Sequence, residues 1–186
     1  YTKSLNRSFY LNLMMYADFI KTIDTGDVPG LGPEPRTSSL TIAKLEEALH
    51  AFDLRGSTIG LARSAAFLWH DHLDASHDIS QDLFSSDGSF LHGIMHRREP
   101  DYPNAKYWFQ RAGNHSCYFP LSSRGAEYLG EVKNELLLQQ LVPDGCWDPF
   151  AFVDAVETVE CTQKDIEILE NIQRLEFESF VESFLG

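Results

Sequence analysis

The sequence predicts an all-α fold, and three observations carry that expectation. Apolar residues recur at three- and four-residue spacing through most of the chain. β-Branched runs with period-two alternation are almost absent. Capping residues, Gly and Pro fall between the periodic segments more than inside them. With 186 residues, 43% of them hydrophobic, the chain has enough apolar material for one well-buried core. The expectation is a single all-α domain over residues 1–186: a compact helical bundle of about seven helices around a His-rich antiparallel hairpin.

The elements follow in order. Phe9 to Ile23 reads as a helix, with Phe9, Leu13, Tyr16, Ile20 and Ile23 on one face. Residues 26–39 form a Gly/Pro-rich loop; its Gly30-Leu31-Gly32 is no dinucleotide fingerprint, because Pro35 stands where a third Gly belongs. Thr41 to Phe52 is a second helix, with Ile42, Leu45, Leu49 and Phe52 inward. Gly56 and Gly60 bracket the start of a third, running from Leu61 to Leu83. Asp87-Gly88-Ser89 makes a turn and supplies a cap, and a helix from Phe90 to Glu99 follows, stopped by Pro100. Asp101-Tyr102-Pro103 opens the next, with Pro in its tolerated first turn, and Gly113 closes it. Glu127 to Leu141 is helical by composition, and Phe150 to Val159 fits helix or strand. Thr162 to Leu185 is a long acidic helix. Residues 61–113 are the motif-bearing helical core.

Charge narrows the function. The 28 acidic against 15 basic residues give a net charge of −13. That argues against general nucleic-acid binding, since phosphate affinity comes from Lys and Arg, and against docking on anionic lipid. No stretch approaches the roughly 20 apolar residues needed to span a bilayer, and Tyr1 to Ser8 has no apolar core of the signal-peptide kind. Cys117, Cys146 and Cys161 are odd in number and lack a C-x-x-C, so a reducing cytoplasm is expected.

Histidines supply the candidate site. Six of the seven lie between His70 and His115. At ~100° per residue, Arg63, His70, Asp74, His77 and Gln81 form one polar stripe on the third helix. His72 falls on the apolar side, as a hydrogen-bonded core or boundary histidine. On the following helix His92, His96 and Glu99 form a second stripe. A short loop makes the two helices antiparallel neighbours, which sets His77 level with His96, Gln81 with His92 and Asp74 with Glu99. If the stripes face each other, imidazoles and carboxylates converge across the seam, as in bundle-core metal sites. Imidazole with carboxylate oxygen suits zinc, manganese, iron or nickel. His77, His92 and His96 are the expected metal ligands, Glu99 or Asp74 a ligand or catalytic base, and Gln81 an orienting group. Two other arrangements remain open: both stripes facing solvent, or the histidines simply bonded to Asp74 and Glu99. No H-E-x-x-H is present, since Gly93 occupies the place of its Glu.

The same region is the chain's only basic stretch. His92 to His115 holds Arg97, Arg98, Lys106 and Arg111 against Glu99 and Asp101, whereas the parts before and after carry net charges of −5 and −10. Arg97 and Arg98 therefore suggest a pocket for a small anionic ligand; alternatively, Arg97, Arg98 and Arg111 pair with the acidic C-terminal helices. Trp108 and Phe109 sit at core-like positions.

The run from Phe90 to Gly113 resembles the signature of a family of uncharacterised microbial proteins that carry L-H-x-x-x-H-R-R-E-x-D-[aromatic]-x-N-x-x-Y-W. His77-Asp78-Ile79-Ser80-Gln81 is similar to the same family. The resemblance implies kinship and no reaction. It groups His77, Gln81, His92, His96, Arg97, Arg98, Glu99 and Asn104 in one motif, which adds Asn104 to the ligand-binding candidates. A weaker similarity, Asp101-Tyr102-x-x-Ala105-x-x-Trp108-Phe109-x-x-Ala112, is to the second helix of a tetratricopeptide repeat, in a single copy. The expected function is thus metal-dependent action, hydrolytic in kind, on a small anionic molecule. The alternative is a non-catalytic interaction protein whose C-terminal helix exposes Phe177, Phe180 and Phe184 to a partner or a second copy.

Overall fold

The computed structural model describes residues 14–159 and 162–186. Among these residues there are helices and no strand, as the periodicity predicts. α1 covers residues 14–23, and the start of that predicted helix lies outside the described residues. The rest are α2 (Ile42–Leu49), α3 (Ser57–Trp69), α4 (Leu73–Ser80), α5 (Ser86–Arg98), α6 (Tyr102–Ala112), α7 (Tyr118–Glu131), α8 (Glu135–Leu141), α9 (Pro149–Glu157) and α10 (Gln163–Leu185). A 3₁₀ turn at Pro143–Gly145 separates α8 from α9.

Six of the helix starts carry a side-chain cap. Thr41, Ser85, Asp101, Asn134, Asp148 and Thr162 are N-caps whose side chains accept a backbone N–H of the first turn. Pro149 and Pro103 sit in first turns, where a missing N–H costs nothing. The 150–159 segment, open between helix and strand on sequence alone, is helical as far as Glu157.

The described residues hold ten α-helices against about seven expected, because two predicted helices are broken and the segment left open between helix and strand is helical. The run from Leu61 to Leu83 divides at His70–His72, where Asp71 adopts φ 65°. Asp is among the few residues that enter the left-handed region at modest cost. Distant partners hold it there. The Asp71 carboxylate accepts from the Arg36 backbone N–H and Nε, both at 2.9 Å, from Ser39 Oγ at 2.5 Å and from an Arg98 nitrogen at 2.7 Å. His70 Nδ1 accepts from Leu40 N at 3.0 Å, and His72 Nε2 pairs with Leu40 O at 2.7 Å. Ser64 and Ser76 exchange hydroxyl-to-carbonyl bonds at 3.0 Å across the corner, so small residues close the contact between α3 and α4. The second break, at 132–134, carries Lys133 at φ 57°.

Helix α5 is the centre of the molecule. Every residue from Gly88 to Arg98 is buried, and α5 packs on α3, α4 and α6. A helix enclosed all round has no solvent stripe. Asp87, Gly88 and Ser89 lie within its first turns, not in a preceding turn, and Ser85 is the cap. Gly88 is obligatory there, because a Cβ would stand 2.0 Å from Leu83 O. At Gly93 a Cβ would meet the Phe109 ring at 2.9 Å, so α5 and α6 approach through that glycine.

The acidic C-terminal helix is a core element. Its buried line runs Leu169, Ile172, Gln173, Glu176, Phe177 and Phe180. Phe180 stacks on Phe90 at 4.9 Å, and Phe177 lies 4.6 Å from Trp69. Phe177 and Phe180 are therefore not an exposed docking face; they fill the space beside α5 and α3. Ile42, expected inward, is exposed, whereas Leu45 and Leu49 are buried as predicted. Glu176 tolerates its place in an apolar line because Arg97 reaches it with two nitrogens.

Candidate metal centre

The site begins with helical spacing. His92 and His96 are four residues apart on α5 and so share one face. The five residues between α4 and α5 bring His77 against that face. The His77 ring lies 4.9 Å from that of His92 and 5.7 Å from that of His96, and 5.7 Å separates His92 from His96, centroid to centroid. One ring nitrogen from each residue falls within 4.8 Å of the others. Tetrahedral zinc at its usual Zn–N length holds imidazole nitrogens about 3.3 Å apart. Ring and side-chain rotations on the order of 1 Å would close the set to that geometry.

Burial favours the neutral form of His92 and His96. His92 is 1% exposed and His96 8%, with His77 half-buried. Burial, then the neighbouring His77 and His96, push His92 down to about 4, and the nearby Gly88 carbonyl offsets part of this. Its Nδ1 is buried with no hydrogen-bond partner. Burial also lowers His96, against the opposing pull of Glu99 and Asp101. Neutral imidazole is the form that binds a metal.

Neighbouring groups orient His96. Its Nδ1 lies 3.1 Å from Glu99 Oε2, where Nδ1–H donates to the carboxylate. That leaves the lone pair on Nε2, and Asn104 Nδ2 stands 3.1 Å from it. A carboxylate–histidine pair of this kind fixes the tautomer and raises the basicity of the ligating nitrogen. On the other side, Trp108 stacks on His92 at 4.1 Å and 17°. Trp108 is thus a wall of the site, while Phe109 is the packing residue of the pair.

The other predicted residues are placed differently. Asp74 is exposed in the first turn of α4, and Gln81 is its exposed C-cap, donating to Asp78 O at 3.3 Å. Neither belongs to the triad. His77 sits between His92 and His96 instead of level with His96 alone, so the pairing of Asp74 with Glu99 and of Gln81 with His92 does not follow. Arg97 and Arg98 point into the protein. Arg97 bonds Glu176 and Gln173, and its guanidinium lies 4.2 Å over Phe152. Arg98 bonds Asp71, Leu68 O and Gly32 O. Both are 1% exposed or less. The anionic partners of Arg97 and Arg98 are internal, Glu176 and Asp71, so neither guanidinium is offered to an outside anion.

Arg111, weighed on sequence only as an ion-pair partner of the acidic C-terminal helices, has its guanidinium 5.1 Å over Trp108 instead. The available signal was its i+3 spacing from Trp108. His72 behaves as expected, as a hydrogen-bonded boundary histidine, and Cys117 is a buried small residue whose thiol burial pushes up. No helix among the described residues is long and apolar enough to cross a membrane. No protein-family model, curated protein or solved structure matches this chain.

Proposed function

We propose that His77, His92 and His96 bind one divalent transition-metal ion and that the protein acts on a small anionic molecule there, in a hydrolytic reaction. The observation that carries the reading is the convergence of three ring nitrogens within 4.8 Å, two of them on buried rings. Three imidazoles with a further position open are the donor set of catalytic zinc sites, and zinc is preferred here over manganese, iron or nickel. A bound ion of this kind supplies Lewis acidity and brings the ionisation of water to near pH 7.

The chain's own groups do the rest. Glu99 holds Nδ1–H of His96 and so keeps Nε2 turned to the site. It is a positioning residue in this reading, and its second carboxylate oxygen is the nearest candidate for a proton acceptor. Asn104 Nδ2 lies 3.1 Å from His96 Nε2, so a metal on that nitrogen would require Asn104 to turn aside. Trp108 covers His92 and excludes water from one side. A reducing, cytoplasmic setting fits the free Cys117 and Cys146.

Elemental analysis of protein purified without a His tag tests the proposal. About one equivalent of zinc, or tight uptake of added zinc, is expected. Less than a tenth of an equivalent of any transition metal, with no uptake of added zinc or manganese, would remove it.

A further inference from the structure

Four basic residues make the middle of the chain positive, and the structure commits three of them. Arg97 pairs with Glu176, Arg98 with Asp71, and Lys106 with Asp154. Arg111 is left. Among the described residues it is the one arginine with no carboxylate in ion-pair contact; Arg36, Arg55, Arg63, Arg124 and Arg174 all have one. In a chain of net charge −13 an unclaimed guanidinium is an exception.

Its setting is specific. The guanidinium is exposed and held 5.1 Å over Trp108 and 5.8 Å over Tyr107, with one terminal nitrogen donating to Tyr107 Oη at 3.3 Å. Stacking on an aromatic face leaves the in-plane N–H groups directed outward. With Nη1 turned to Tyr107, the Nε–Nη2 edge remains, and two parallel N–H groups on one edge match a carboxylate or phosphate. Trp108 in turn stacks on His92. One indole ring therefore links the free guanidinium to the histidine triad.

We propose that Arg111 is the anion-docking residue of the histidine site, and that the substrate is a small molecule whose carboxylate or phosphate group sits on its open edge while the reacting end reaches the triad. The metal reading is needed only for the reacting end. The anion-binding role expected of Arg97 and Arg98 passes to the one arginine of the stretch without an internal carboxylate. Carboxylate and phosphate share the oxyanion chemistry, and separate probes distinguish them.

The test titrates zinc-loaded protein with inorganic phosphate and, separately, with acetate, for wild type, Arg111→Gln and Arg111→Lys, with zinc content measured on each. Arg111→Gln is expected to weaken the preferred anion by about tenfold or more, the usual loss for a charge-assisted pair. Zinc content should stay unchanged. Arg111→Lys keeps the charge without the fork and should fall between. Preference for phosphate over acetate, or the reverse, names the anionic group. Equal affinity in wild type and Arg111→Gln, or no binding of either anion by wild type, overturns the proposal. Failure of wild type to take up zinc counts against the metal reading alone. In that event the same titrations on zinc-free protein decide Arg111: a loss in Arg111→Gln supports it, and no loss overturns it.

Discussion

Two pairs of side chains on α5 invite comparison. Arg97 and Arg98 follow directly on His96, and all three are buried with His92 on one helix. The arginines meet a carboxylate each, and their terminal nitrogens are spent on internal oxygens. The histidines meet each other. Three imidazoles are gathered with no carboxylate inside the set and one buried ring nitrogen unpartnered. A buried guanidinium must be neutralised locally or it is not buried. A neutral imidazole carries no such requirement, so its cluster is free to serve a ligand. The same helix thus holds a charge-paired set that fixes the fold, with Arg97 Nε as its one unpartnered donor, and an uncharged one open to chemistry.

The largest effect should come from unpairing a buried arginine. Glu176→Ala leaves Arg97 without its counter-charge at a position 0% exposed, and a loss of about 3–5 kcal/mol in urea unfolding is expected. The double substitution Arg97→Met with Glu176→Leu should recover most of it. A cost below about 1 kcal/mol for Glu176→Ala would erase the contrast between the two sets.

Acid should act through Asp71. Burial alone would raise its pKa, but the Arg36 backbone N–H, Ser39, Arg98 and the Arg36 side chain hold it at about 2. A carboxyl depressed in the folded state adds stability that is complete above its unfolded pKa, near 4, and is lost as pH falls toward about 2. The expected acid-linked loss is about 2 kcal/mol, read from unfolding free energies across that window. Asp71→Asn should flatten the slope there. An unchanged slope would show that the corner at His70–His72 does not depend on this charge.

Much of this was legible in the sequence, and the limits are physical. Helical periodicity and caps gave the class and most boundaries. The meeting of His77, His92 and His96 was readable because an i,i+4 pair and a short loop are local features. The break at Asp71 was not, because its causes, Arg36, Ser39 and Leu40, lie about thirty residues away. Nor was the fate of Arg97 and Arg98, since a helix wheel assigns sides and α5 has no outside. Trp108 looked like packing and lies against His92.

Smaller effects belong to the histidine side. Glu99→Gln keeps the shape but weakens the hold on His96 Nδ1–H, and zinc affinity should drop about 10- to 100-fold with little change in unfolding free energy. A large loss of stability with unchanged zinc affinity would move Glu99 to the structural set. Smallest of all is Lys106→Gln. Its pair with Asp154 is partly exposed at both ends, and its removal should cost no more than about 1 kcal/mol. A larger cost would mean that exposure does not separate the basic residues of this stretch.

The most direct test is calorimetric titration of zinc into the metal-free protein and into His77→Ala, His92→Ala and His96→Ala, each shown by circular dichroism to be folded. One tight site per chain is expected in the wild type, severely weakened in all three variants. Binding that survives any one of these substitutions unchanged, or no tight binding in the wild type, would rule out the histidine triad as a metal centre.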